Sequence, residues 1–396
     1  MESIKEIYRI GNGPSSSHTM GPKRAAQIFN EKNPMADAFS VTLFGSLAAT
    51  GKGHLTDKVI IESLQPKSVE VIWKPEEFLT KHPNAMRLEA LNDKGKVIDS
   101  WTVYSVGGGK IIDDSYQKGS DSVYELTTMS EILKWTNKNG GSFWEFVEDV
   151  EGKGIYEYLA EVWRVMNACI ERGIEHEGIL PGGLNLRRKA SSYFVKAKNY
   201  SGSLKEKTLV FTYALAVTEE NASGGEIVTA PTCGSSGVLP AVLRRLQESF
   251  EFPEQKILRA LATAGLFGNI VKTNASISGA KVGCQGEIGT ACAMASAAAT
   301  QLLGGTPPQI EYAAEMGIEH HLGLTCDPIN GLVQVPCIER NAFAAERAFN
   351  TATFSLLSDG HHIVSFDKIV RTMKQTGHDL PRIYKETSEG GMAIFH

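Results

Sequence analysis

Three cysteines in the last third of the chain constrain its fold and chemistry more than any other feature. Cys284, Cys326 and Cys337 each stand next to or near a Gly or a Pro, and such residues mark bends and loops. Cys326 follows Cys284 by 42 residues and Cys337 follows Cys326 by 11, whereas structural zinc sites usually use short C-x2-4-C pairs. The spacing predicts a metal centre held from separate loops. The alternative is that these thiols are small buried apolar groups.

The other cysteines indicate how many thiolates such a centre uses. Cys169 and Cys292 lie in helical runs and are expected in the core, whereas Cys233 lies in the loop TCGSSG. Soft thiolate ligands favour iron–sulfur or zinc over hard cations. A 4Fe-4S cluster held by three thiolates leaves one iron open as a Lewis acid. Because a fourth cysteine ligand would close that iron, we expect Cys233 to line or pack the site rather than to bind metal.

The overall charge and hydropathy exclude several classes of partner. The 396 residues carry 40 basic and 45 acidic side chains, a net charge of -5, so neither a nucleic-acid nor an acidic-membrane partner is predicted. The N-terminus MESIKEIYRI lacks the pattern of a signal peptide, and no apolar run reaches the roughly 20 residues that span a bilayer. We therefore expect a cytoplasmic protein whose cysteines stay reduced.

The periodicity of the sequence changes near residue 120. Before it, the helical pattern PKRAAQIFNE is followed by strand-like runs, with NDKGK as a hairpin turn between the last two. These runs are FSVTLFGSL, SVEVIW, AMRLEAL and VIDSWTVYSVGG. After it, helical segments rich in Ala and Gly follow one another, interrupted by the loop GILPGGLNLRRKA. The pattern predicts an α+β fold, with a small N-terminal mixed α/β domain (1–120) followed by a large, mostly α-helical domain (121–396).

Two Ser-rich loops stand directly before helical segments. The N–H groups and the dipole at a helix start attract anions, and hydroxyls add further donors, although a plain N-cap would need only one Ser. We predict that these loops bind a substrate carboxylate. The residues are Ser15, Ser16, Ser17 and Thr19 in SSSHT, and Thr232, Gly234, Ser235 and Ser236 in TCGSSG.

A Gly–Ser loop of this kind also suits the phosphate of pyridoxal phosphate. That makes a pyridoxal-phosphate-dependent lyase the rival enzyme class. Such an enzyme needs a lysine for its Schiff base. The nearest candidate, Lys281 in SGAKVG, has no surrounding pattern typical of those enzymes.

Taken together, several long motifs resemble one family. They are GNGPSSSHTMGPKRAA, GSLAATGKGHLTDK, TAPTCGSSGVLPA, KVGCQGEIG and LTCDPINGLVQVPCIERNA, and in this order they are similar to the bacterial iron-sulfur L-serine dehydratases of the single-chain form. The resemblance covers nearly the whole chain. It implies that L-serine is converted to pyruvate and ammonia, and that Cys284, Cys326 and Cys337 hold a 4Fe-4S cluster that assists the elimination of water. It also leads us to expect a homo-oligomer, a dimer.

The resemblance also singles out two of the ten histidines. Removal of a Cα proton needs a base that is active near neutral pH, and histidine suits that role. We therefore predict that His54 in TGKGHLTD is the base and that His18 in the serine loop orients the substrate. His320 and His321, close to Cys326, are expected to support the site or the fold without touching the substrate.

Two other functions stay open at this point. One is a 4Fe-4S hydro-lyase that acts on a different hydroxy acid and releases no ammonia. The other is a non-enzymatic iron–sulfur sensor, for which a charged partner surface or a DNA-binding motif is expected, and the sequence shows neither.

The end of the chain suggests a ligand for the open iron. Members of the resembled family often end in a cysteine, whereas this chain ends in GGMAIFH. Imidazole is an acceptable iron ligand, so we hypothesise that the tail folds back and places His396 at the open iron in the resting enzyme. A frayed terminus is the alternative.

Overall fold

A five-stranded sheet in the order β3-β2-β4-β5-β6 organises the first part of the chain. The structure is a computed structural model that describes residues 1–116, 121–387 and 389–394. Strands β2 and β3 are parallel, and the other neighbouring strands are antiparallel. The strands are β1 Ile10–Asn12, β2 Ala38–Phe44, β3 Ser68–Lys74, β4 Asn84–Leu91, β5 Val97–Gly107, β6 Lys110–Asp113 and β7 Glu226–Val228.

The predicted strands form this sheet, with one difference in length. FSVTLFGSL was expected to be a strand throughout, but β2 ends at Phe44 and residues from Gly45 onward begin a helix. Gly45 has a φ of 53°, in the left-handed region that an extended strand does not use. The predicted NDKGK turn is confirmed, since the Asn92 side chain accepts hydrogen bonds from the backbone of Lys94 and Lys96 between β4 and β5.

Helices make up most of the remaining structure. They are α1 Gly21–Lys32, α2 Gly45–Ala49, α3 Thr56–Leu64, α4 Met129–Asn139, α5 Phe143–Glu151, α6 Ile155–Glu175, α7 Ala190–Lys198, α8 Gly202–Ala222, α9 Val238–Phe250, α10 Glu254–Asn274, α11 Gly279–Val282, α12 Ile288–Leu302, α13 Pro307–Glu319, α14 Cys337–Leu356 and α15 Phe366–Asp379. The predicted α+β fold is confirmed. In the described residues, no helix is both long enough and apolar enough to cross a bilayer.

The Ala-rich helix α12 lies at the centre of the helical part. Nearly all of its side chains are buried, and it packs against α9, α10, α13 and α14. Small side chains let helix backbones approach closely, so that more helices fit around one core. This packing brings the start of α12, which follows Cys284, close to the start of α14 at Cys337.

The first residues of the chain belong to the helical core and not to the sheet. Met1, Ile4, Ile7 and Tyr8 are buried in that core, and β1 pairs with β7 in an antiparallel arrangement. The division into domains at about residue 120 therefore stays a prediction, and the chain crosses between the two parts more than once.

The close contact between α12 and α13 gives a stability prediction. A Cβ added at Gly317 would lie 2.8 Å from the backbone N and Cα of Ala293, so Gly317→Ala should lower the free energy of unfolding by about 1–3 kcal/mol through overpacking. Gly154→Ala is the matched control, since a Cβ there meets open space and the change should stay within about 0.5 kcal/mol. Urea unfolding measures the free energy of unfolding of both variants. Equal changes in the two variants would contradict the prediction and show that α12 and α13 can move apart to accept the added methyl group.

Candidate active site

The three loop cysteines meet in the interior of the protein. Cys284 begins a short 3-10 turn between α11 and α12, Cys326 follows α13, and Cys337 is the first residue of α14. The thiols of Cys284 and Cys326 are within hydrogen-bonding reach, and Cys337 interacts electrostatically with Cys284. None of the three forms a disulfide. Three free thiols from separate loops therefore face one another, as the spacing predicted.

The surroundings let one of these thiols ionise more easily than the other two. The hydrogen bond from Cys326 lowers the pKa of Cys284 to about 6, with help from the Arg340 guanidinium. The same bond and burial hold the pKa of Cys326 well above its usual value, and burial raises the pKa of Cys337. Because buried thiolates repel one another, all three can ionise together only when a cation joins them.

The donor set suits a cluster better than a single ion. Within the described parts of the chain, no three His, Cys, Asp or Glu side chains are grouped so that they could hold one metal ion. A single ion draws all its ligands to one atom, whereas each thiolate of an iron–sulfur cluster binds a different iron. Three soft thiols that form no disulfide, two of them buried and one partly buried, therefore fit such a cluster.

The other cysteines are elsewhere. Cys169 and Cys292 are buried in the helical core, where burial raises the pKa of each to about 12. The Cys233 thiol lies 3.3 Å from the sulfur of Met20, in a sulfur–sulfur contact beneath the second Ser-rich loop. This is the packing role expected for it.

The first Ser-rich loop forms a turn of π-helix, Ser16–Met20, that leads into α1. The Ser15 hydroxyl caps this turn by accepting the His18 N–H, 3.0 Å away, and the Thr19 hydroxyl donates to the carbonyl of His54, 2.7 Å away. The hydroxyls of Ser16 and Ser17 make no such bond within the described residues. Two of the four predicted hydroxyls thus hold the loop in place, and two stay available to a ligand.

His18 and His54 lie side by side beneath this loop. Their ring centroids are 4.5 Å apart. Nε2 of His18 donates to the carbonyl of Ser46, 3.1 Å away, so Nδ1 carries the lone pair in the neutral ring. Nδ1 of His54 is buried and has no hydrogen-bond partner among the described residues.

Burial keeps both imidazoles neutral. It lowers the pKa of His18 to about 4, and burial together with the neighbouring His18 lowers the pKa of His54 well below its usual value. A neutral imidazole with an unused nitrogen is able to accept a proton. The turn at residues 51–55 carries His54 and packs closely against the loop that contains Asn330. A Cβ added at Gly53 would lie only 2.8 Å from the carbonyl of Asn330, so this contact holds His54 in place.

The second Ser-rich loop uses most of its hydroxyls internally. Ser235 bonds with Thr232 at 3.0 Å, and Ser236 donates to the carbonyl of Cys233 at 2.7 Å. Thr232 also donates to the carboxylate of Glu287. Of the four predicted residues, Thr232 and Gly234 face the site, whereas Ser235 and Ser236 shape the loop.

Sequence reasoning missed four residues at this site. Glu287 and Arg340 are next to the cysteines, and Asn341 joins the second loop to α14. Burial raises the pKa of Glu287 well above its usual value, as does the charge of Cys284. Glu287, Arg340 and Asn341 stand inside the motifs GCQGEIG and CIERN, so polar residues beside the cysteines were the available signal.

The fourth missed residue, Glu386, had no signal in the sequence. It lies in KETSEGG, far along the chain from the cysteines. The structure places its carboxylate oxygen Oε1 3.4 Å from Nδ1 of His18, and burial raises the pKa of Glu386 to about 7.

The structure also places three residues that the sequence did not predict to touch the substrate. Lys281 and His320 are exposed, and Nδ1 of His321 donates to the carbonyl of Gly317, 2.7 Å away, at the end of α13. The hypothesis about His396 falls outside the described residues.

Comparison with known proteins matches both parts of the chain to one family. The model for the serine dehydratase beta chain matches residues 3–71, and that for the serine dehydratase alpha chain matches residues 81–393. The chain is 40% identical to the L-serine dehydratase of Streptomyces coelicolor, over 99% of this chain and 98% of the relative. It is 40% identical to L-serine dehydratase 1 of Escherichia coli, over 100% of this chain and 99% of the relative. It is 37% identical to the L-serine dehydratase of Helicobacter pylori, over 99% of this chain and 98% of the relative.

The bonds of Asn341 generate a prediction. Its side chain accepts the N–H of Gly237 at 3.0 Å and donates to the carbonyls of Gly234 and Cys337 at 2.7 and 2.8 Å. Asn341→Ala leaves buried groups without partners and should lower the free energy of unfolding by about 1–3 kcal/mol. Asn350→Ala on the same helix is the control, since Asn350 is exposed. Denaturant unfolding of both variants measures the difference, and similar values would contradict the structural role of Asn341.

Proposed function

Because the chain belongs to the serine dehydratase family, we propose that it is a lyase that converts L-serine to pyruvate and ammonia. The observation that carries this proposal is the meeting of three free thiols with two neutral imidazoles and a hydroxyl-lined loop in one buried site. L-Serine loses water across Cα and Cβ, and the resulting aminoacrylate tautomerises and hydrolyses to pyruvate and ammonia. Measurement of pyruvate and ammonia in equal amounts from L-serine tests the proposal, and the absence of both products would refute it.

We propose that Cys284, Cys326 and Cys337 would hold a 4Fe-4S cluster. When bound, such a cluster supplies a Lewis acid that makes the substrate hydroxyl a better leaving group. The support is the donor set itself, three thiols without disulfides, of which Cys284 and Cys326 are buried and Cys337 is partly buried, next to the cationic Arg340. The oxygen sensitivity of such a centre suits the reducing cytoplasm, where we place the enzyme, and we expect it to act as a dimer.

His54 is the proposed base for the Cα proton. Its Nδ1 has no partner among the described residues and its ring stays neutral, so a lone pair is available without prior loss of a proton. His18 packs against this ring and is in turn positioned by Ser46, Ser15 and Glu386. We propose that His18 orients His54 and the substrate.

The two Ser-rich loops are proposed to bind the substrate carboxylate. The hydroxyls of Ser16 and Ser17 and the face of the second loop at Thr232 and Gly234 are the groups nearest to that task. Ser15, Thr19, Ser235 and Ser236 hold those groups in place through their own hydrogen bonds. Fixing the carboxylate aligns the Cα proton with the base, which is how positioning accelerates an elimination.

Removal of any one thiol should prevent assembly of the metal centre. Cys284→Ser, Cys326→Ser and Cys337→Ser should each lose bound iron together with activity, since a cluster needs all three thiolates. Cys169→Ser, in the core, is the control and should keep both. Iron and sulfide analysis of anaerobically purified protein measures the cluster content. A full iron content in any of the three variants would show that the substituted cysteine is not a ligand of the cluster.

His54→Ala should separate proton removal from metal binding. We expect kcat to fall by about 10²–10⁴-fold, the usual contribution of a general base, while iron content stays at the wild-type level. Exchange of the Cα proton of L-serine with solvent should stop as well. His378→Ala at an exposed position is the control. Exchange that persists while elimination is lost would make His54 a proton donor to the leaving group instead.

A further inference from the structure

Two acidic residues, Glu287 and Glu386, to which no substrate contact has been assigned so far, lie next to Cys326. Oε2 of Glu287 is 4.0 Å from the Cys326 sulfur, and the backbone N–H of Glu386 donates to the Cys326 carbonyl, 2.7 Å away. The charges of the two carboxylates act on each other. Two acidic groups from distant parts of the chain therefore share the volume beside the thiols.

Glu386 has a carboxylate oxygen without a partner. The backbone N–H of Ala280 donates to this carboxylate and Nδ1 of His18 lies 3.4 Å from Oε1, but Oε2 is buried and accepts no hydrogen bond from any described residue. Only 7% of the residue is exposed. A buried carboxylate oxygen without a donor is costly, so the missing donor is expected to come from a ligand.

The backbone of Glu386 supports a role for this residue in binding. Its φ is 59°, a left-handed conformation that is uncommon for residues other than Gly and concentrates at functional sites. The hydrogen bond to Cys326 holds the backbone there. Glu386 therefore keeps an unfavourable backbone conformation that places its carboxylate beside His18.

Glu287 lines the same space from the start of α12. It is surrounded by protein but keeps part of its surface accessible, as a group at a cavity wall does. Space beside it is kept open by Gly234 and Gly279, where an added Cβ would lie 3.6 Å and 2.7 Å from the two carboxylate oxygens.

Nearby positive charge is already engaged. The Arg340 guanidinium acts on Glu287, but it bonds to Cys284 and donates to the carbonyl of Thr325, 2.7 Å away. The two carboxylates are thus arranged to receive a further small cation that can donate several hydrogen bonds.

We propose that Glu287 and Glu386 bind the α-ammonium group of the substrate. This inference rests on the proposed function, because it assigns a partner to the one charged group of L-serine that the Ser-rich loops do not bind. An ammonium group offers three N–H donors, and charge-assisted bonds to buried carboxylates are strong. The pair would make the site selective for amino acids over acids that lack the ammonium group, because such a ligand leaves the buried Oε2 of Glu386 unpaired.

Binding of two unreactive ligands tests this without turnover. L-Alanine has the ammonium group but lacks the hydroxyl that leaves, and propionate lacks the ammonium group as well. Calorimetric titration of the intact, metal-loaded enzyme should give L-alanine a Kd at least about 30-fold lower than that of propionate, the usual scale for a desolvated charge pair. Equal affinities in the wild type would overturn the proposal with no variant needed.

The variants Glu287→Gln and Glu386→Gln locate the effect. Each should raise the Kd of L-alanine by about 30-fold or more, while the Kd of propionate changes by less than about 3-fold and iron content stays at the wild-type level. Glu339→Gln is the matched control, because Glu339 is exposed, follows Cys337 closely in the chain and pairs with Lys189 at 3.0 Å. Its affinity for both ligands should not change.

The possible failures are distinct. Equal losses of affinity for L-alanine and propionate in the variants would mean that the carboxylates only maintain the site, and this would overturn the inference. Unchanged affinity for L-alanine would overturn it as well. Absence of pyruvate and ammonia from L-serine in the wild type would instead refute the proposed function.

Discussion

The structure depends on placing ionisable groups where water is largely excluded. Three thiols, two imidazoles and two carboxylates share one interior volume, and burial shifts the pKa of His18, Cys337 and Glu386 toward the neutral form of each group. A charge formed there needs a partner of opposite sign. Such a site is stable while it is neutral and binds charged ligands strongly once their charges match.

A site of this kind has to be held by uncharged bonds. The Thr19 hydroxyl bonds to the carbonyl of His54, and the Thr56 hydroxyl bonds to the carbonyl of His18, so each loop supports the other. Asn341 does the same for the second Ser-rich loop. Hydrogen bonds between loop backbones and side chains fix geometry without adding charge, which leaves the few charged groups free for a ligand.

The proposed catalytic groups come from both parts of the chain because the two parts are interleaved. The first residues pack in the helical core, β1 pairs with β7, and the turn that carries His54 contacts Asn330 through Gly53. The two family models meet between residues 71 and 81, inside the five-stranded sheet, so the sheet itself joins the regions that those models separate. In this arrangement His18 lies beside Glu386, whose backbone N–H donates to the carbonyl of Cys326.

Much of this protein follows from its sequence alone. The α+β fold, the strand and helix order, and the family follow from periodicity and long motifs, since both are patterns of residues that are adjacent in the chain. The convergence of Cys284, Cys326 and Cys337 was also expected from their loops. Tertiary structure decided which hydroxyls are used internally, that β2 ends at Phe44, and that Glu386 lies beside His18. The contact between His18 and Glu386 joins residues near opposite ends of the chain, and no local pattern encodes a side chain's distant neighbour or the burial that changes its pKa.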